Sequence, residues 1–154
     1  MKRVLFLSVF FFFLTLGGEE VAQNPEKTLM NNYMKACSND SAFACFRVGD
    51  SYLIGKGVEK DIKKAEEYNL KGVYILEINC FNGLEDDCVY LANMYEVGKV
   101  VPINYELAAK MYHTACVNGK CKACERLLTL RIETKISKDS PYLICQESVY
   151  IFNR

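Results

Sequence analysis

Eight cysteines and a single histidine, His113, are the residues of this 154-residue chain best suited to do chemistry. Cys37 and Cys45, Cys80 and Cys88, and Cys116 and Cys124 form three pairs, each eight residues apart, with Cys121 and Cys145 left over. Cysteines in such number serve disulfides, zinc or thiol redox chemistry. One histidine offers zinc little beyond thiolates. Cys121, Lys122, Ala123 and Cys124 spell CxxC, but a thioredoxin-like motif calls for a strand before it and a βαβ unit after it, and the surroundings read as helix. Glu125 follows Cys124, so the CxxCH haem-attachment signature is absent. Structural bridges therefore outrank redox or zinc chemistry: Cys116 with Cys124, and Cys121 with Cys145.

The eight-residue spacing constrains the elements that carry it. In one continuous helix the two cysteines would lie about 12 Å apart, beyond the roughly 7 Å that the Cα atoms of a bridge tolerate. The chain must reverse between them. Turn-forming residues sit there: Ser38, Asn39 and Asp40, then Asn82 and Gly83, then Asn118 and Gly119. Each bridge so drawn staples the end of one helix to the start of the next. A nine-residue closed loop contributes about 2.5 kcal/mol by the chain-entropy model, and three together about 5 to 8 kcal/mol after discounting strain.

The pairs recur after 43 and then 36 residues, within the range of two-helix repeats that stack into solenoids. Their flanks repeat as well: CFRVGDSYLIGKGVEKDIKKA from Cys45 and CVYLANMYEVGKVVPINYELA from Cys88. Tyr52 matches Tyr95, Gly55 matches Gly98, Lys56 matches Lys99, Val58 matches Val101 and Ala65 matches Ala108. Each unit reads as a helix A ending at the glycine, a loop closed by a buried valine, and a helix B capped by Asp61 or Asn104. Cys45, Val48 and Tyr52, then Ile62, Ala65 and Tyr68, recur at three- and four-residue steps, with Lys63, Lys64, Glu66 and Glu67 opposite. NPEKTLMNNYMKAC, before Cys37, reads as a helix B with Asn24 as cap and Pro25 at its first position. The expected order is B, A with B, A with B, a degenerate A from Cys124 to about Ile132, and a last helix starting near Pro141.

Lys2 and Arg3 precede VLFLSVFFFFLTL, Val4 to Leu16. As a helix this run covers about 20 Å, short of the roughly 30 Å hydrocarbon core, so it reads as a secretory leader, residues 1–17, with small residues for cleavage at Gly17, Gly18 and Ala22. The whole chain has nineteen basic and nineteen acidic side chains. Without Lys2 and Arg3, seventeen basic groups face nineteen acidic ones, a charge of −2. No positive field suits nucleic acid or an anionic membrane surface. Cysteine-rich and led by a signal, the chain is expected to be secreted or periplasmic.

The CX7C pairs, together with the pattern of Tyr52, Gly55, Gly57, Val58, Asp61 and Ala65, are similar to the Helicobacter cysteine-rich proteins, secreted members of the Sel-one-like repeat class related to tetratricopeptide repeats. The resemblance runs from about Asn24 to Leu130. It implies an all-α fold, a right-handed α/α superhelical solenoid of short helix-turn-helix repeats stapled by disulfides. The expected organisation is the leader at 1–17, repeats over 24–136 and a C-terminal capping helix over 137–154. The implied role is a monomeric scaffold taking a protein or peptide in a concave groove lined by A helices, with no nucleic acid and no membrane once the leader is gone. Several members of that family also carry a penicillin-binding or weak β-lactamase assignment, which implies a β-lactam or a peptidoglycan-like small molecule as the alternative ligand. A serine β-lactamase needs S-x-x-K, S-D-N and K-T-G, and none occurs here. A metallo-enzyme needs several histidines, and His113 is alone. No catalytic residue, cofactor or metal is indicated, and binding without chemistry is the stronger expectation.

The two units depart from one another in places. Val100 replaces Gly57 and Pro102 follows, so the second loop is expected to be remodelled. Seven extra residues, Val73 to Asn79, are expected to lengthen helix B by about two turns without rotating its apolar face, and to be dispensable for folding. Arg131 and Thr134 stand where the motif has tyrosine and glycine, which marks a cap or decayed repeat. Tyr52, Tyr68, Tyr95 and Tyr112 are expected mostly in the core, His113 as a surface or packing residue, and Glu85, Asp86 and Asp87 at a helix N-terminus. Asn39, Asp40 and Ser41 form a glycosylation sequon with nothing else pointing to a eukaryotic route. Non-reducing peptide mapping is expected to recover Cys37–Cys45, Cys80–Cys88 and Cys116–Cys124 as local pairs. Long-range pairing among these six would break the hairpin argument.

Overall fold

The computed structural model describes residues 24–133. The leader, the expected helix near Pro141 with the rest of 137–154, Thr134 and Cys145 lie outside the described residues. Six helices follow one another: α1 Pro25–Ser38, α2 Ala42–Ile54, α3 Ile62–Phe81, α4 Glu85–Val97, α5 Tyr105–Val117 and α6 Cys121–Ile132. In repeat terms they are B, A, B, A, B, A. The tightest packing is within the A and B pairs, α2 on α3 and α4 on α5. The described chain is thus an all-helical repeat array with three disulfides linking successive helices.

Helix boundaries follow from capping. The side chains of Asn24, Ser41, Asp61 and Asn104 accept from the backbone N–H groups of Glu26, Ala44, Lys64 and Leu107, satisfying donors that a helix N-terminus leaves open. The hydrogen bond from Lys64 N–H holds the Asp61 carboxyl below its ordinary range. Helices α2 and α4 end at Gly55 (φ 78°) and Gly98 (φ 74°), both left-handed, whose N–H groups reach Ser51 O and Met94 O. Helix α6 begins at Cys121, one turn earlier than the expected Cys124.

The B-to-A turns share one geometry. Three residues after the first cysteine of each pair, Asp40 (φ 60°), Gly83 (φ 88°) and Gly119 (φ 102°) turn left-handed. The next N–H, of Ser41, Leu84 or Lys120, reaches back to Ala36 O, Asn79 O or Ala115 O at 3.1, 3.0 and 2.9 Å. The bridges then close over Cα separations of 4.7, 4.6 and 4.9 Å. All but Cys124 of the six bridged cysteines are buried, and they sit within two apolar clusters. Met30, Val48, Leu76 and Leu91 belong to the first; Ala108, Tyr112, Leu127 and Leu130 to the second.

Several expectations are corrected. Ile62 does not join the apolar face; it is 64% exposed. Val58 is half-buried whereas Val101 is buried. Helix α3 has 20 residues against 13 in α5, so all seven extra residues extend the helix. Its buried stripe runs on unrotated through Ala65, Gly72, Val73, Leu76 and Cys80. Val73, Ile75 and Leu76 of the insertion fill the first core beside Met94 and Val101, so deleting Val73 to Asn79 is expected to lower stability rather than preserve it. Just before it, Gly72 admits the Phe46 ring, which a Cβ would approach to 2.7 Å.

The second A-to-B loop is not remodelled. Val100 takes φ 71° where Gly57 takes 73°. Both loop ends are fixed alike, since Asp61 N–H reaches Tyr52 O at 3.0 Å and Asn104 N–H reaches Tyr95 O at 2.8 Å. With Val101 buried between these anchors, the backbone path prevails over the steric cost of one β-branched residue, about 1 to 2 kcal/mol. Gly57 answers a second demand: a Cβ there would meet Glu26 O at 2.5 Å. Val100→Gly is therefore expected to raise unfolding stability by about 0.5 to 1 kcal/mol, the relieved strain less the entropy of glycine. Gly57→Val should lower it by about 2 kcal/mol or more. Urea denaturation measures both.

Candidate binding face

The A helices α2 and α4 lie beside each other with the rings of Phe46 and Tyr90 6.0 Å apart, tilted by 47°. Between their N-terminal halves an open groove of about 430 Å³ has Phe46 and Leu76 at its base and Phe43 and Tyr90 along its walls. Phe43 is 64% and Tyr90 44% exposed, so both present ring surface to solvent. Asp40, Asp86 and Asp87 line it too, together with Ser41, Ala42 and Asn79. Asp87 accepts a 2.6 Å hydrogen bond from the Asn79 amide, and Asp86 pairs with Lys120, which comes from the α5–α6 turn and raises its own pKa by that contact. Arg47 stands over the outer face of Phe43, 5.7 Å from the ring centre, and pairs with Asp50 at 3.6 Å. The charges of the Glu85, Asp86 and Asp87 run occupy the first turn of α4, where no side chain caps the helix and negative charge complements its dipole.

The tyrosines divide between packing and polar anchoring. Tyr52 and Tyr68 stack at 5.7 Å, with Lys64 over Tyr52. Tyr95 donates to Glu77 at 3.2 Å, and its phenol is pushed up by burial and then by the Glu77 charge. Tyr112 is buried, which raises its pKa, and it donates to Glu96 Oε2 at 3.0 Å. Glu96 is the buried charged residue of the described chain, and Arg126 of α6 grips it with two donors, Nε at 3.0 Å and Nη2. One carboxylate so ties α4, α5 and α6 together. Nothing in the sequence pairs Glu96 with Arg126: they stand 30 residues apart, and the first unit has Leu53 where the second has Glu96. The aromatic groove is equally illegible, since Phe43, Asp86 and Lys122 occupy one repeat position in three chemistries.

His113 is half-buried on α5, and burial lowers its pKa. Cys124 is bridged to Cys116, while Cys121 is an exposed free thiol at the start of α6; Cys145, its expected partner, lies outside the described residues. Among the described residues no group of three or more His, Cys, Asp or Glu side chains is arranged to hold a metal ion. No described helix is long and apolar enough to cross a membrane. The three bridges suit an oxidising, extracytoplasmic environment.

Two stretches of the chain, residues 42–71 and 86–119, match the model of the Sel1 repeat. They coincide with α2 plus the first half of α3, and with α4 plus α5. No curated protein matches significantly. Among solved structures, a Sel1 repeat protein from Oxalobacter formigenes is similar at 22% identity over 64% of this chain and 69% of that one, with a TM-score of 0.41. A protective antigen present in uropathogenic Escherichia coli strains, displaying an SLR fold, is similar at 18% identity and a TM-score of 0.40; the likeness covers 70% of this chain and 30% of that one.

The ionic tie supports a prediction. Glu96→Gln leaves Arg126 half-exposed without its counter-ion and is expected to cost about 1 to 3 kcal/mol, and Tyr112→Phe about 1 kcal/mol. A double-mutant cycle between Glu96 and Arg126, read by chemical denaturation, should show a positive coupling. Additive effects would mean that the pair does not hold α6 to α4.

Proposed function

We propose that this array of Sel1-type repeats is a secreted or periplasmic module that binds a protein or peptide across its A-helix face, without cofactor or metal. The observation that carries the reading is the groove between α2 and α4, where Phe43 and Tyr90 from successive repeats expose ring surface over a buried apolar floor. Aromatic side chains in such a setting are the residues that most often anchor a partner. Repetition of the turns, caps and bridges frees the outward A-helix positions to differ between units, and they do: Phe43, Asp86 and Lys122. The CX7C spacing and repeat motif also resemble the Helicobacter cysteine-rich proteins, and the scaffold role which that resemblance implies supports the same reading.

The second reading is a β-lactam-binding protein with weak hydrolase activity, supported by that resemblance alone. Six of the cysteines are tied up in bridges, and the S-x-x-K motif of a serine β-lactamase is absent from the sequence. Oxidised, purified protein is expected to give no turnover of a chromogenic β-lactam above a control preparation, and no acyl adduct by mass spectrometry. Sustained turnover that follows the protein through purification would overturn the binding-only reading, and an adduct without turnover would make it a penicillin binder.

A further inference from the structure

Four grooves on the described surface differ in charge. Between α1 and α2, Glu26 and Asp50 are offset by Arg47 and Lys56. Between α3, α4 and α5, the lining holds both Glu77 and Lys110. Around the first A-to-B loop, Lys27, Lys60 and Lys64 outnumber Glu59 and Asp61. The α2–α4 groove has Asp40, Asp86 and Asp87 and no basic side chain in its lining. Lys120 offsets Asp86 from outside, and Asp87 takes only the neutral Asn79 amide, so the groove keeps an uncompensated negative charge beside exposed aromatic rings.

From this complementarity we infer that the α2–α4 groove takes a basic peptide segment, a lysine or arginine next to an apolar side chain. The inference rests on the binding role proposed above and names the partner's chemistry. The apolar side chain packs on Phe46 and Leu76. The aliphatic stem of the basic residue lies along Tyr90 and Phe43, and its charge meets Asp40 and Asp87. Arg47 already occupies one face of Phe43 in this manner, which shows the ring accepting a cation within the chain itself. The other grooves meet a cation with bases of their own, so they do not compete for the same segment.

The test uses the full oxidised protein and three acetylated, amidated fluorescent peptides, alternating leucine with lysine, glutamine or glutamate. Fluorescence anisotropy is expected to show the lysine peptide binding about ten-fold tighter than the glutamine peptide, with the gap narrowing above about 0.15 M salt. Asp40→Asn with Asp87→Asn should weaken the lysine peptide at least about five-fold and leave the glutamine peptide unchanged. Asparagine suits the left-handed position of Asp40, and a melting curve confirms that the variant folds. Phe43→Ala should weaken both peptides. Glu66→Gln with Glu125→Gln removes the same charge elsewhere and should change nothing. Equal binding of all three peptides, or equal weakening by the control variant, overturns the charge assignment; if Phe43→Ala still weakens them, the groove as binding face survives. Binding of none of the peptides overturns the inference while leaving capture of a folded protein to be judged separately.

Discussion

In each B-to-A turn a disulfide draws two Cα atoms, eight residues apart, to within 4.6 to 4.9 Å, and most of the architecture follows from that closure. A helix cannot run through it, so one helix must stop and the next must start antiparallel to it. The reversal leaves room for one left-handed residue, filled by Asp40, Gly83 and Gly119. It also brings the ends of B and A close enough for five of the six cystine sulfurs' residues to be buried with the helix faces. Small repeat arrays have little apolar area per unit, so a local covalent closure that restricts the unfolded chain is a large share of their net stability.

The parts of the fold that repeat were legible in the sequence, and the parts that occur once were not. Cysteine spacing, the glycines at 55 and 98 and the caps at Asp61 and Asn104 are local signals, and helix order, turns and bridges follow from them. The seven-residue insertion is legible as added helix but not as core, because periodicity shows which face a residue occupies and not what lies opposite. Val73, Ile75 and Leu76 face a core completed by Leu91 and Met94 from the next unit. At Val100 intrinsic backbone preference predicts a different loop, but the hydrogen bonds that pin both loop ends decide the path. Tertiary anchoring outweighs about 1 to 2 kcal/mol of local strain.

The face proposed for binding differs between units in a way that the stabilising positions do not. The bridged cysteines and the B-helix caps Asn24, Asp61 and Asn104 carry near-identical chemistry in each unit, whereas outward A-helix positions carry phenylalanine, aspartate or lysine at one register. Glu96, Tyr112 and Arg126 add a unit-specific tie at the C-terminal end of the described array, where the third unit lacks a helix B of its own among the described residues. Such ties set how rigidly neighbouring A helices are held, and therefore how well preformed a groove between them is.

The most direct test of the central role given to local closure is thermal unfolding of the Cys80→Ser and Cys88→Ser double variant, followed by circular dichroism beside the parent under oxidising conditions. This bridge joins the two full units and leaves the other two intact. Loss of about 2.5 kcal/mol of closure entropy should lower Tm by roughly 10 to 20 °C while the helical spectrum persists at low temperature. A melting curve superimposable on that of the parent would contradict the account, because the turn would then be held by helix packing alone.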